Sequence, residues 1–197
     1  MPMTKKGCWD VRTITLVCGN KCELFCGLEL RRYFRQVCGV ELKTHSVADH
    51  RALPTHSLVL ANHVPVRRPV RRSLGEDGMP LVRELLGNDG CLDRLGPEGY
   101  LIRYVELEGK EAVVMVGANG LGLAYAVFHF IRSVLKADFF FDGERLPAAK
   151  PTKLQVENLN IVEQPVVSIR FWLPEPLGDV SPLHSPWLWR WPRWRQA

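Results

Sequence analysis

The strongest constraint on the fold is an apolar hairpin that continues directly into an apolar helix. Tyr100–Glu106 alternates polar and apolar residues and Ala112–Val116 is almost wholly apolar, so both runs are typical of strands. Glu108–Gly109 between them predicts a tight turn, and therefore an antiparallel hairpin. After the glycine-rich turn Gly117–Gly122, the pattern predicts a helix over Leu123–Leu135. This order requires a sheet on which the helix can pack.

The predicted helix has one apolar face and several small residues. The small side chains of Ala124 and Ala126 permit close approach to a sheet. The positions at i, i+4, i+7, i+8 and i+11 form a stripe that faces a core: Leu123, Val127, Phe130, Ile131 and Val134.

The N-terminal half predicts further strands and helices. Strands are expected over residues 10–17, Val40–Thr44 and Ser57–Ala61. A helix is expected from Asn20 or Lys21 to Val37, ended by Gly39, with Leu24, Leu28 and Phe34 among the positions that can share a face. A short helix is expected over Pro80–Leu86, ended by Gly87–Gly90.

The segments after the predicted helix complete the pattern. Phe139–Phe141 is a short aromatic strand, and residues 142–152 carry a glycine and two prolines and are expected to be a loop. Leu154–Val162 and Val166–Arg170 follow, with a docking strand among them. We therefore predict an α/β fold, an α+β sandwich in which helices pack on a mixed β-sheet.

Composition narrows the function classes. Of the 197 residues 46% are hydrophobic and 24% are charged, as in an ordinary globular protein. The first ten residues are polar and charged, and no apolar run approaches the ~18–20 residues that span a bilayer. We therefore predict a cytoplasmic protein with no membrane partner.

The six cysteines are expected to be reduced in that compartment. Cys18, Cys22 and Cys26 are spaced four apart, which places them on one side of a helix if the segment is helical. No Cys-x-x-Cys pair or convergent histidine accompanies them, so we predict buried structural cysteines and no metal site.

Positive charge is densest at Val66–Arg72, although the net charge is a mild +5. Four arginines there could contact phosphates. No aromatic platform or recognition fold accompanies them, so we predict a solvated loop and do not expect nucleic acid as a partner.

The glycine turn resembles a phosphate-binding loop only superficially. Counted from Gly120, the dinucleotide fingerprint would end on Tyr125, and a tyrosine there blocks close packing of helix and strand. The hairpin strand before it does not open a βαβ unit. We therefore interpret the glycines as turn positions with φ > 0 and expect no cofactor.

No catalytic residue is predicted. His129 is a single histidine in an apolar helix, which we interpret as packed or partly exposed. The carboxylates of the hairpin region lie on a turn and two strands, with nothing to desolvate one of them, so they do not predict an acid/base pair: Glu98, Glu106, Glu108 and Glu111.

Three stretches of residues 96–170 occur in a characteristic order: EGYLIR, then GANGLGLAYAVFHFIR after the hairpin, and finally NLNIVEQPVVSIR. Together they resemble the N-terminal domain of glycoside hydrolase family 67, the α-glucuronidases. More loosely, the segment is similar to the domain before the barrel in β-hexosaminidases. The family's helix motif matches at Gly122, Tyr125, Phe128, His129, Phe130, Ile131 and Arg132, with Ala126 where the family has glycine, a small-for-small change. Its strand motif matches at Asn158, Leu159, Ile161, Val162, Glu163, Pro165 and Arg170.

The resemblance implies a two- or three-layer domain that packs on a (β/α)8 catalytic barrel and carries no catalytic group. The family's acid and base carboxylates lie in the barrel and act by inversion, which needs them ~6.5–9.5 Å apart. The substrate implied for the parent is a xylo-oligosaccharide bearing (4-O-methyl-)glucuronic acid. This chain alone is therefore expected to bind no catalytic metal or cofactor and to be inactive.

Residues 171–197 differ sharply from the rest and hold five of the six tryptophans. Read one base out of frame, Glu175–Gly178 can encode N-H-W-E and Pro186–Trp189 can encode R-G-Y-G. Their spacing of eleven equals the spacing of the corresponding family motifs. We therefore expect a domain over 1–170 and a frameshifted tail over 171–197 that replaces the barrel. The alternative is a small carbohydrate- or nucleic-acid-binding module that uses this tail and the Val66–Arg72 loop.

Overall fold

The computed structural model describes residues 11–46, 50–62, 78–87, 90–140, 143–151 and 154–165. The strands within these ranges are β1 (Thr13–Leu16), β2 (Lys43–Ser46), β3 (Ser57–Asn62), β4 (Tyr100–Leu107), β5 (Lys110–Gly117), β6 (Asp138–Phe140), β7 (Gly143–Arg145) and β8 (Asn160–Glu163). The α-helices in the same ranges are α1 (Lys21–Tyr33), α2 (Gly78–Leu86) and α3 (Gly120–Ser133). The predicted fold class is confirmed.

Six strands form one mixed sheet in the order β2-β1-β3-β5-β4-β8. The strands β2, β1, β3 and β5 are parallel, whereas β4 runs antiparallel to both β5 and β8. β1 pairs with β2 on one side and with β3 on the other, so the strand order reverses at β1: the first connection leads to one side of β1 and the next connection leads to its other side. In open α/β sheets ligands bind outside the carboxyl ends of strands at such a point.

Helices cover both faces of the sheet. On one face α1 and α3 pack over a core that includes Ile14, Met115 and Phe130. On the other, α2 packs over Val59 and Val114. Successive residues of β5 contribute to opposite cores because side chains alternate across a strand, and every residue of β3 is buried.

The expected grouping of Leu24, Leu28 and Phe34 on one face of α1 is wrong, whereas the stripe on α3 is confirmed in full. Leu24 and Leu28 are exposed and only Phe34 is buried. The helix instead turns Gly27 toward the sheet, where a Cβ atom would lie 3.4 Å from the side chain of Leu16. Gly27 and the buried residues on its side of α1 therefore face the sheet, and the two leucines face outward.

The end of α1 agrees with the sequence. A π-helical turn over Phe34–Cys38 follows the α-helix, and Gly39 ends it at φ 71°. The neighbouring strand is shifted from its predicted position, since β2 covers Lys43–Ser46 and not Val40–Thr44.

The loop predicted over residues 142–152 is wrong at Gly143–Arg145, which pairs with β6 as β7. Two contacts with α1 hold this hairpin. Arg32 Nη1 lies 2.9 Å from Glu144 Oε2, and the rings of Tyr33 and Phe139 meet edge to face at 5.7 Å. Within the predicted segment Leu154–Val162, all of whose residues are described, only Asn160–Val162 lies in a strand, β8, which extends to Glu163.

Several predictions concern residues outside the described ranges, namely the Val66–Arg72 loop, the Val166–Arg170 segment and the 171–197 tail. The helices in the described ranges are too short or too polar to cross a bilayer.

Candidate functional site

The turn after β1 lies at the carboxyl edge of the sheet and is closed by side chains. The backbone amides of Cys22 and Glu23 each donate to Asn20 Oδ1 at 3.0 Å, so Asn20 caps α1. The amides of Cys18 and Gly19 donate to Glu23 Oε2 at 2.8 and 2.7 Å. The arrangement resembles a capping box, with Asn20 as N-cap, except that Glu23 accepts from the two amides before the N-cap residue and not from the N-cap amide itself.

Glu23 is a fully buried carboxylate in this turn. Burial raises the pKa of Glu23, and the backbone donors offset part of that rise. Asn20 Nδ2 donates to Glu23 Oε1 at 3.2 Å and to Asn62 Oδ1 at 2.7 Å, which ties the turn to the end of β3. The sequence reasoning missed Glu23, although the N-x-x-E spacing before an apolar run is a recognisable signal.

The glycine turn after β5 is closed by neighbouring atoms, which occupy the space that side chains at its glycines would need. The interpretation of φ > 0 is wrong here, because Gly117, Gly120 and Gly122 are not among the positive-φ residues of the described chain. Space is the reason for glycine. A Cβ atom at Gly117 would overlap the Leu123 amide nitrogen, and one at Gly122 would lie 2.6 Å from the carbonyl oxygen of Gly99.

The two turns touch each other. A Cβ atom at Gly120 would overlap Cys22 Sγ in the first turn of α1. The amide of Gly122 already donates to Asn119 Oδ1 at 2.9 Å, so Asn119 caps α3 as Asn20 caps α1. A phosphate at a helix N-terminus needs open amides and no nearby negative charge, so capped amides and the Glu23 carboxylate disfavour a nucleotide at this edge.

A second polar cluster lies on the sheet face that α1 and α3 cover, and it joins β4, α3 and β8. The hydroxyl of Tyr100 on β4 donates a short hydrogen bond to Glu163 Oε2 on β8. His129 Nδ1 on α3 lies 2.8 Å from the same hydroxyl and 3.7 Å from Glu163 Oε2. A tyrosine hydroxyl has one hydrogen, so its oxygen accepts from His129 and we assign a proton to Nδ1.

The cluster of Tyr100, His129 and Glu163, here called the brace, lines an open cleft of about 680 Å³. Burial, and next the bond to Glu163, raise the pKa of Tyr100 above the ordinary range. Asp138 on the rim lies 3.3 Å from Arg132 Nε. Both carboxylates of the cleft are thus engaged by neighbours. His129 is partly exposed, as predicted, and its bond to Tyr100 was not foreseen.

The four glutamates considered from the sequence are spread out. Glu106 and Glu111 face each other across the hairpin and Glu108 lies in its turn, at the end opposite to Tyr100. Glu98 lies at the other end, before β4, where it approaches Gly122. Burial, and next the charge of Glu111, raise the pKa of the nearby Tyr104 to about 12.

The cysteine prediction holds for one residue of three. Cys26 is buried in the core, and burial raises the pKa of its thiol. Cys22 is exposed, and Cys18 precedes α1 and is partly exposed, because α1 begins only at Lys21. Among the described residues, no group of three or more potential ligands could hold a metal ion.

Comparison with known proteins gives the family. A search of curated proteins finds no match. A solved GH138 enzyme that targets pectin rhamnogalacturonan II is similar at 14% identity and a TM-score of 0.35, over 62% of this chain and 10% of that enzyme. The model of the glycosyl hydrolase family 67 N-terminus matches residues 13–130, more than half of the chain. The chain therefore belongs to the glycosyl hydrolase family 67 N-terminus family.

Proposed function

We propose that this chain is the non-catalytic N-terminal domain of an α-glucuronidase-like glycoside hydrolase. The parent enzyme would release (4-O-methyl-)glucuronic acid from xylo-oligosaccharides during xylan breakdown. The family match over residues 13–130 is the observation that carries this proposal. The closed turns at the carboxyl edge support it, because protein groups already occupy the place where an α/β sheet most often binds a ligand.

In this proposal the domain serves as a scaffold that packs on its own (β/α)8 barrel. The brace supports that role. β8 is short and pairs with β4 over four residues, from Asn160 to Glu163. The bond from Tyr100 to Glu163, with His129 behind it, adds a side-chain anchor to the ladder. These side-chain bonds therefore anchor the end of β8 to β4 and α3.

The test is a hydrolysis assay on the pure 197-residue chain. We expect no glucuronic acid to be released from xylo-oligosaccharides that carry 4-O-methylglucuronic acid side groups. Release by the wild type that is lost in Glu163→Gln would contradict the proposal, because it would make the brace a catalytic site. Release that persists in Glu163→Gln and in an Asp138→Asn variant would point to a contaminating enzyme, removable by further purification.

We also propose a boundary at Arg170 between this domain and a tail encoded out of frame. The tail lies outside the described residues, so the hypothesis stays a prediction from the sequence. Sequencing the gene downstream of Arg170 tests it, and a lack of barrel-coding sequence in another frame would contradict it. The alternative, a binding module built on the tail, predicts salt-sensitive binding of an oligonucleotide, or binding of an oligosaccharide, that is lost when residues 171–197 are removed.

A further inference from the structure

The cleft beside the brace has the size of a ligand site. Its volume of about 680 Å³ lies within the range of roughly 300–1,000 Å³ that is typical of ligand clefts. Its walls come from β4, the second half of α3, the turn after α3, the start of β6 and the end of β8. The scaffold role proposed above uses the brace but gives the open space beside it no role.

One wall of the cleft is aromatic. Phe128 on α3 and Phe139 on β6 line it and meet edge to face at 5.2 Å. Phe139 stays 38% exposed, although its ring also contacts Tyr33. The next residue, Phe140, lies on the other side of the strand, where the Arg145 guanidinium is 4.5 Å from its ring centroid. The face of an aromatic ring is negative, so it attracts the weakly positive C–H groups of a saturated ring.

The other side of the cleft offers hydrogen-bond acceptors. Asp138 Oδ1 lies 3.3 Å from Arg132 Nε, and Glu163 Oε2 accepts from Tyr100. Each of these carboxylates has a second oxygen that can accept a further hydrogen bond. With its proton on Nδ1, the neutral ring of His129 has a third acceptor in Nε2.

The charges around the cleft balance. Its lining residues include two cations, Arg132 and Lys136, and two carboxylates, Asp138 and Glu163. A dianionic phosphate would meet both carboxylates there. A wholly apolar ligand would bury their acceptor oxygens without partners, which is costly. The ligand that fits is neutral, carries several hydroxyl groups and has one apolar side.

We infer that this cleft is a non-catalytic binding site for neutral pyranose sugars. The hydroxyl groups of the sugar donate to Asp138, Glu163 and His129, and the C–H face of its ring packs against Phe139. Binding is reversible and no covalent bond changes. The inference goes beyond the proposed function, and only the choice of a xylo-oligosaccharide as the probe rests on it.

The experiment is a titration of the full 197-residue chain with xylotriose, followed by NMR, which suits a dissociation constant of roughly 1 mM. Phe139→Leu removes the aromatic ring from the wall and keeps an apolar side chain. Its matched control is Phe140→Leu, which changes the neighbouring exposed ring outside the cleft. We expect roughly fivefold weaker binding for Phe139→Leu and no change for Phe140→Leu.

A second pair of variants tests the acceptors. Asp138→Ala removes one of them together with its ion pair to Arg132. Asp93→Ala is the control, because Asp93 forms a comparable exposed ion pair with Arg83 at 2.8 Å and does not line the cleft. We expect roughly fivefold weaker binding for Asp138→Ala and no change for Asp93→Ala. Circular dichroism checks the fold of each variant.

The imidazole ring of His129 provides an independent readout in the wild-type chain. Its nitrogen and carbon-bound proton signals, assigned with a His129→Gln variant, should show the proton on Nδ1 in the free protein. Xylotriose should shift the Nε2 signal as it binds. Binding that leaves the His129 signals unchanged places the sugar elsewhere and overturns the inference.

The other results also decide. A chain that does not bind xylotriose, or binding that survives both Phe139→Leu and Asp138→Ala, overturns the cleft site. Displacement of xylotriose by an equal concentration of glucuronic acid or of glucose 6-phosphate shows recognition of an anion and overturns the neutral ligand. None of these results touches the proposed function, which fails only on release of glucuronic acid in the hydrolysis assay.

Discussion

The turn between β1 and α1 and the turn between β5 and α3 hold equivalent positions at the carboxyl edge, yet they are closed by opposite means. In the first, Asn20 and Glu23 fill the turn and bind its amides. In the second, the glycines leave room for Leu123, Cys22 and Gly99 to approach. Two different chemistries thus fill the edge where a ligand would otherwise bind, so a glycine-rich turn before a helix does not by itself indicate a phosphate site.

Substitution in the glycine-closed turn should have the largest effect. In Gly117→Ala the new Cβ atom would meet backbone, including the Asn119 carbonyl oxygen at 2.6 Å, and backbone cannot rotate away as a side chain can. We expect a loss of about 3 kcal/mol or more in the free energy of unfolding, measured with urea.

Gly27→Ala is the matched control for that substitution. Its Cβ atom would meet only side chains at 3.4 Å or more, in the middle of α1. Here we expect a gain of roughly 0.5–1 kcal/mol, since alanine replaces a helical glycine. Equal effects of the two substitutions would show that close approach is not the reason for glycine at position 117.

The side-chain-closed turn should be sensitive to loss of its carboxylate. Glu23→Ala removes the acceptor that the partly buried amides of Cys18 and Gly19 share, which should cost about 2–3 kcal/mol. Glu23→Gln keeps one acceptor oxygen and should lose less. Urea unfolding of the two variants checks this, and an alanine variant as stable as the glutamine variant would argue that water replaces the carboxylate.

Removing either asparagine cap should lower the free energy of unfolding by a smaller amount, and the two losses should differ between the turns. Asn119 accepts one amide hydrogen bond, from Gly122, so Asn119→Ala should cost about 1 kcal/mol. Asn20 accepts two and also donates to Glu23 and Asn62, so Asn20→Ala should cost about 2 kcal/mol. Thermal or urea unfolding gives the difference, and the reverse ranking would mean that the first turn does not depend on its side-chain network.

The sequence predicts the elements around the hairpin well because their patterns are strong. The stripe from Leu123 to Val134 has an unbroken helical period, and Glu108–Gly109 marks a turn whose two residues have φ of 52° and 75°. Local signals of this kind do not depend on what packs against them. The order and the buried stripe of the β5–α3 unit were therefore predictable, whereas α3 begins at Gly120, inside the predicted turn, and ends at Ser133.

The sequence predicts less well where long-range contact decides. The side of α1 that faces the sheet, with Gly27 against Leu16, and the contact of Glu144 on β7 with Arg32, 112 positions away, are both long-range features. The brace likewise joins Tyr100 to Glu163, 63 residues away. No periodicity reports such contacts. The family resemblance was the sequence signal that included residues of the brace, since His129 lies in its helix motif and Glu163 in its strand motif.

The last prediction concerns pH and again separates the two turns, because only the first contains a buried acid. Burial raises the pKa of Glu23 above its ordinary value of 4.5, so the folded protein holds that proton more tightly than the unfolded chain. The stability that follows is complete below the unfolded pKa and is lost as pH rises through the folded pKa. The free energy of unfolding of the wild type, measured relative to Glu23→Gln from pH 4 to 8, should therefore decrease as pH rises. Glutamine does not titrate, so other groups cancel in this difference. A difference that increases with pH would mean that the amide donors of Cys18 and Gly19 outweigh burial, and that this turn is closed by backbone amides that bind the ionised carboxylate.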